Sequence, residues 1–84
     1  MTFTIEWHPQ AYRALRKLPQ RTIKRILLKL DFVTKGPFRY LEHYEGKAVY
    51  KLRIGNYRLL VDVNLQNNLL FIQVIDKRGR VYKR

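Results

Sequence analysis

The last eight residues, Lys77-Arg78-Gly79-Arg80-Val81-Tyr82-Lys83-Arg84, carry five positive charges, one tyrosine and no acid. A second set of cations, Lys51, Arg53 and Arg58, flanks the pair Gly55-Asn56. Arginine keeps its charge at any physiological pH and presents a planar fork matched to phosphate oxygens. A phenol beside such a cluster can exchange a proton or stack on a base. The ligand these residues suit is a polyanion, and the phosphodiester backbone of a nucleic acid is the first candidate.

Cleaving RNA asks little more of a protein. The substrate brings its own nucleophile, the 2′-hydroxyl. The protein must hold it in line, neutralise the pentacovalent phosphorane and move two protons. Arginines serve the second task but cannot act as a base. Lys51 can, because neighbouring cations disfavour its charged form, and Tyr82 is a candidate acid or base. Arg53, Lys47, Lys77 and Arg80 are expected to hold RNA phosphates around this set. Other chemistries fit poorly. His8 and His43 are the only histidines and there is no cysteine, so neither a metal site nor a disulfide is expected. His8 reads as a capping residue. Asp62 and Asp76 could meet across neighbouring strands, but a two-metal carboxylate site is a poor fit to so basic a chain. There is no serine to act as nucleophile, and the four glycines form no phosphate-binding loop. No cofactor is expected.

Eighty-four residues make one domain, 1–84, and a chain this short buries only about 60–65% of its unfolded surface. Eighteen Lys and Arg against six Asp and Glu give a formal charge of +12, which repels itself and attracts anions. The N-terminus lacks the basic and apolar regions of a signal peptide, and no apolar run approaches the roughly 20 residues needed to span a bilayer. The expected location is cytoplasmic. Seven further cations, Arg13, Arg16, Lys17, Arg21, Lys24, Arg25 and Lys29, are free of any acid until Asp31 and read as an electrostatic footprint.

The elements that must position these groups follow from periodicity. Phe3, Ile5 and Trp7 alternate with polar residues, as in a half-buried strand ended by His8-Pro9. Ala11, Leu15 and Leu18 recur at helical spacing up to Pro19. Ile23, Ile26, Leu27, Leu30 and Val33 mark a second helix, stopped by Gly36-Pro37. Phe38 to Lys47 has no period and reads as a loop. Val49 to Ile54 and Tyr57 to Val63 form a hairpin around Gly55-Asn56, and Leu69 to Asp76 a third, central strand. The expected fold is α+β, ordered β-α-α-β-β-β, with two N-terminal helices on one face of a mostly antiparallel sheet.

A two-residue loop fixes the register. Ile54 should face Tyr57, and Arg53 should face Arg58. One face of the hairpin then reads Tyr50, Leu52, Ile54, Tyr57, Leu59, Val61 and Val63, the side the helices cover. Lys51, Arg53 and Arg58 gather on the other. Like charges opposite one another weaken a sheet, so the cluster suggests an external anion that offsets the repulsion, with Tyr44 and Tyr82 nearby.

The hairpin Tyr50-Lys51-Leu52-Arg53-Ile54-Gly55-Asn56-Tyr57-Arg58-Leu59-Leu60, followed by Val74-Ile75-Asp76-Lys77-Arg78-Gly79-Arg80-Val81-Tyr82, resembles the RelE toxins of prokaryotic toxin–antitoxin systems. The opening strand, the short proline-flanked helix and the long helix extend the likeness to essentially the whole chain. The resemblance implies a small RNase-like RelE fold, ribosome-dependent cleavage of messenger RNA in the A site, and inhibition by an acidic RelB-like antitoxin. It implies that Lys51 is a catalytic lysine, that Arg58 and Arg78 stabilise the phosphorane, and that Tyr82 is the C-terminal tyrosine. Two departures stand out. Val49 occupies the place of a second lysine two residues before Lys51, for which Lys47 could substitute if its loop folds back, and the chain ends without a C-terminal helix. Two other readings keep the charge pattern: a ParE-like gyrase inhibitor without nuclease activity, and a basic nucleic-acid-binding module without catalysis.

Overall fold

The computed structural model describes residues 2–45 and 49–77. The chain begins with β1 (Thr4–Trp7), after which Pro9 opens α1 (Pro9–Arg16). His8 caps that helix, its Nδ1 accepting the Gln10 backbone N–H at 3.0 Å, as its place before proline suggests. Pro19 separates α1 from α2 (Gln20–Lys35), and Gly36 ends α2 by donating its N–H to the Val33 carbonyl.

Residues 38–45 correct the expected loop. Pro37 starts a one-turn helix, α3 (Pro37–Tyr40), closed by the Leu41 N–H on the Pro37 carbonyl at 2.9 Å. Then follows a short edge strand, β2 (Glu42–Glu45). One turn is too short to show a helical period. Glu42, His43 and Tyr44 are all exposed, so β2 shows no alternation either. It is held by backbone pairing to its neighbour, which side-chain patterning does not report. Leu41 between the two elements is buried and anchors both.

β3 (Val49–Ile54), β4 (Tyr57–Asn64) and β5 (Leu69–Lys77) complete a five-stranded sheet in the order β1-β5-β4-β3-β2, with only β1 and β5 parallel. The β3–β4 register is the expected one, Ile54 facing Tyr57 and Arg53 facing Arg58. Gly55 has φ +60°, the left-handed value that the first position of a two-residue II′ turn requires. Ala11, Leu15, Ile26, Leu30 and Val33 of the helices pack onto Leu52, Ile54, Leu59, Val61, Leu70 and Ile72 of one sheet face. Burying each such aliphatic side chain is worth about 1.5–3 kcal/mol. Both helices therefore cover one face, and the other stays open.

The last strand is central, as its apolarity suggests, but it is not regular. Leu60 faces Val74 and Val61 faces Ile72, so Gln73 is an extra residue on β5. Such a bulge reverses the alternation beyond it. Leu70 and Ile72 point to the helices on one side of it. Beyond it Ile75 and Lys77 take that face, lying opposite Leu59 and Tyr57, and Asp76 turns to the open face.

Candidate nucleic-acid interface

Two cross-strand rows occupy the open face. In one, Asp76 of β5 lies opposite Arg58 of β4, which lies opposite Arg53 of β3. In the next, Val74, Leu60, Lys51 and Glu42 follow one another across β5, β4, β3 and β2. Lys51 and Arg58 are diagonal neighbours, a placement that separates residues by about 7–8 Å, the span of one bound phosphate group between two cations. Arg53 is exposed, whereas Lys51 and Arg58 are half-buried and Arg58 Nε is shut off from solvent.

The internal anions change the electrostatic argument. The carboxylate of Glu42 stands 3.7 Å from Lys51 Nζ, and the register places Asp76 beside Arg58. Repulsion among the three cations is thus relieved within the sheet, and no external anion is needed to explain the cluster. Glu42 is well exposed, so its pair with Lys51 contributes only about 0–1 kcal/mol and is readily given up to a stronger ligand. An ammonium group so held is placed to neutralise a phosphate. Sequence reasoning overlooked both carboxylates. Glu42 lay in an apparent loop, and Asp76 reaches this face only through the bulge. Two adjacent apolar residues after Gln73, where alternation should place one, are the trace of that bulge in the sequence.

Lys77 does not join Lys51, Arg53 and Arg58. It lies on the helix-covered side, in a cleft it shares with Arg13, Lys17, Tyr57 and Ile75. Asp62 and Asp76 do not meet either, contrary to the possibility raised by their strands. Asp76 faces Arg58, four residues or about 13 Å along β4 from Asp62. Asp62 instead accepts a hydrogen bond from the Gln73 side-chain amide. Val49, at the place of the second lysine, lies opposite Asp62. His43 stacks edge-on against Tyr50, with ring centroids 5.3 Å apart. Arg78, Arg80, Tyr82 and Lys47 lie outside the described residues.

Residues 5–82 match the family model of the ParE toxin of the type II toxin–antitoxin system parDE. The chain belongs to this toxin family. Within the wider RelE/ParE superfamily it is similar to a relative from Methanocaldococcus jannaschii provisionally assigned as toxin RelE1. The two are 27% identical over 88 aligned positions covering 99% of this chain and 98% of the relative. Among solved structures, the toxin of the archaeal RelE–RelB complex from Pyrococcus horikoshii superposes with a TM-score of 0.83 at 29% identity, covering 95% of this chain and 99% of that one. The isolated E. coli RelE toxin superposes with a TM-score of 0.81 at 22% identity, over 93% and 86% of the two chains, a likeness of fold. Among the described residues, no helix of this toxin is long and apolar enough to cross a membrane.

Proposed function

We propose that this toxin is a ribosome-dependent endoribonuclease that cuts messenger RNA in the ribosomal A site and so stops translation. The observation that carries the reading is the diagonal placement of Lys51 and Arg58 on the open face of the sheet, with Arg53 beside them. In the reaction the 2′-hydroxyl loses its proton and attacks the adjacent phosphorus. The bond to the 5′-oxygen breaks, and that oxygen leaves protonated. A 2′,3′-cyclic phosphate and a 5′-hydroxyl end result. Arg58 and Arg78 neutralise the phosphorane, Lys51 assists as base or cation, and Tyr82 is an acid, base or stacking partner. Arg53, Lys47 and Arg80 hold flanking phosphates, whereas Lys77 contacts nucleic acid from the opposite side. The ribosome supplies alignment that so small a site lacks, which places the protein in the cytoplasm.

A cognate acidic antitoxin is the expected inhibitor, because the similar Pyrococcus toxin was solved as a RelE–RelB complex and this chain carries +12. A second reading is inhibition of DNA gyrase. It is favoured by the parDE name of the matching family and by the carboxylates of Glu42 and Asp76, which reduce the positive potential of the open face.

Primer extension on a messenger RNA, with and without programmed ribosomes, separates the two. Cuts at the A-site codon that need both the ribosome and Arg78 support the nuclease. Intact RNA together with loss of gyrase supercoiling would establish the gyrase reading.

A further inference from the structure

A second surface, away from the open face, has the character of a peptide-binding site. Between α2 and the tip of the β3–β4 hairpin lies a cleft of about 400 Å³. Leu28 and Phe32 stand one helical turn apart on its wall and are 62% and 50% exposed, unusually open for such large apolar side chains. Arg25 and Lys29 on the same stripe of α2, and Arg53 on the hairpin, rim it, and no acid lines it. None of these three cations has a carboxylate partner among the described residues. On the open face, by contrast, Lys51 has Glu42 and Arg58 lies opposite Asp76.

We propose that this cleft is a docking site for the antitoxin, taking an acidic amphipathic segment of it. Two apolar side chains of the segment would pack on Leu28 and Phe32, and flanking carboxylates would pair with Arg25, Lys29 and Arg53. The proposal rests on the toxin–antitoxin reading above and adds the location and chemistry of the contact. Four residues of α2, from Arg25 to Phe32, span about 10 Å along the helix axis, the length of two turns of a partner helix. RNA suits the cleft less well. Its floor is largely aliphatic, and the Tyr40 ring is already covered by Lys29 Nζ, 4.9 Å from the ring centroid, so it offers no stacking platform. A second copy of the chain would bring its own +12 to a basic rim.

Arg53 gives this site a consequence for activity. It lines the cleft and also faces Arg58 across the hairpin. A carboxylate that draws Arg53 into the cleft removes one cation from the open face, so docking at α2 weakens phosphate binding without covering Lys51 or Arg58. Gly55 belongs to the same device. A Cβ there would sit 2.9 Å from Arg25 Nη1, so glycine lets the guanidinium rest against the turn.

The test is titration of the full-length cognate antitoxin into the toxin by calorimetry, comparing wild type with Leu28→Asp, Phe32→Asp and the charge reversal Lys29→Glu. All three positions are at least partly exposed, and circular dichroism checks that each variant folds. The two aspartate variants should bind at least about 30-fold more weakly, the least expected of a hot-spot residue. Lys29→Glu should slow association, and RNA cleavage by the free toxin should stay within about twofold for all three. Antitoxin affinity unchanged in both aspartate variants overturns the docking site while leaving the toxin reading intact. So does loss of RNA binding in its place, or conversion of a dimer to a monomer with unchanged antitoxin affinity. A wild type that ignores the antitoxin overturns both.

Discussion

Replacing Gly55 by alanine tests how the hairpin is built and, through it, how the cations are aligned. The left-handed φ of +60° costs an L-residue about 1–2 kcal/mol. The new Cβ would also lie 2.9 Å from Arg25 Nη1 and 3.0 Å from its Cζ. These atoms are the far end of a flexible side chain, so the contact is relieved by a rotamer change and adds little. The expected loss is therefore about 1–2 kcal/mol, nearly all of it backbone strain. In a domain of this size that lowers the melting temperature by roughly 4–16 °C. Urea denaturation of wild type, Gly55→Ala, Arg25→Ala and the double variant measures both parts. If strain dominates, the cost of Gly55→Ala is the same with and without Arg25. A cost below about 0.5 kcal/mol would refute the II′ turn. A cost that mostly vanishes in the Arg25→Ala background would show that the guanidinium contact, not the dihedral angle, requires glycine.

Three further outcomes are expected. Arg58→Ala should reduce A-site cleavage by about 100-fold or more, the usual loss when a preorganised donor to a phosphoryl oxyanion is removed. Single-turnover cleavage on programmed ribosomes measures it, and a loss under tenfold removes Arg58 from its assigned role. Glu42→Gln should act with opposite signs on two quantities. Stability falls by no more than about 1 kcal/mol, since the pair with Lys51 is exposed on the carboxylate side, while affinity for single-stranded RNA rises as a competing anion is removed. Weaker RNA binding in a filter assay would argue against Lys51 as a phosphate ligand. Leu59→Ala, at a fully buried position in the centre of β4, should cost about 2–5 kcal/mol in chemical denaturation. That is a large part of the stability a domain of this length can have.

The amino-acid sequence by itself determined the two helices, the hairpin and its register. Those depend on local patterns, namely apolar spacing, proline and glycine punctuation, and a loop of two residues whose length leaves one pairing possible. From that register it also followed that Lys51, Arg53 and Arg58 share a face and that the helices cover the other. Tertiary structure alone decided the rest. β2 exists because β3 offers it backbone partners, and an exposed edge strand leaves no periodic signature in its side chains. The bulge at Gln73 is a choice between two ways of seating consecutive apolar residues, settled by which of them the helices can bury. That choice turned Asp76 toward Arg58 and Lys77 away from it, and β2 brought Glu42 to Lys51. The charges were legible from composition, but their pairing was not, because ion pairs between strands depend on contacts that form only once the sheet is assembled. The cleft at α2 was hidden for the same reason. Leu28 and Phe32 are ordinary helix residues in sequence, and only packing against the hairpin leaves them uncovered beside Arg25, Lys29 and Arg53.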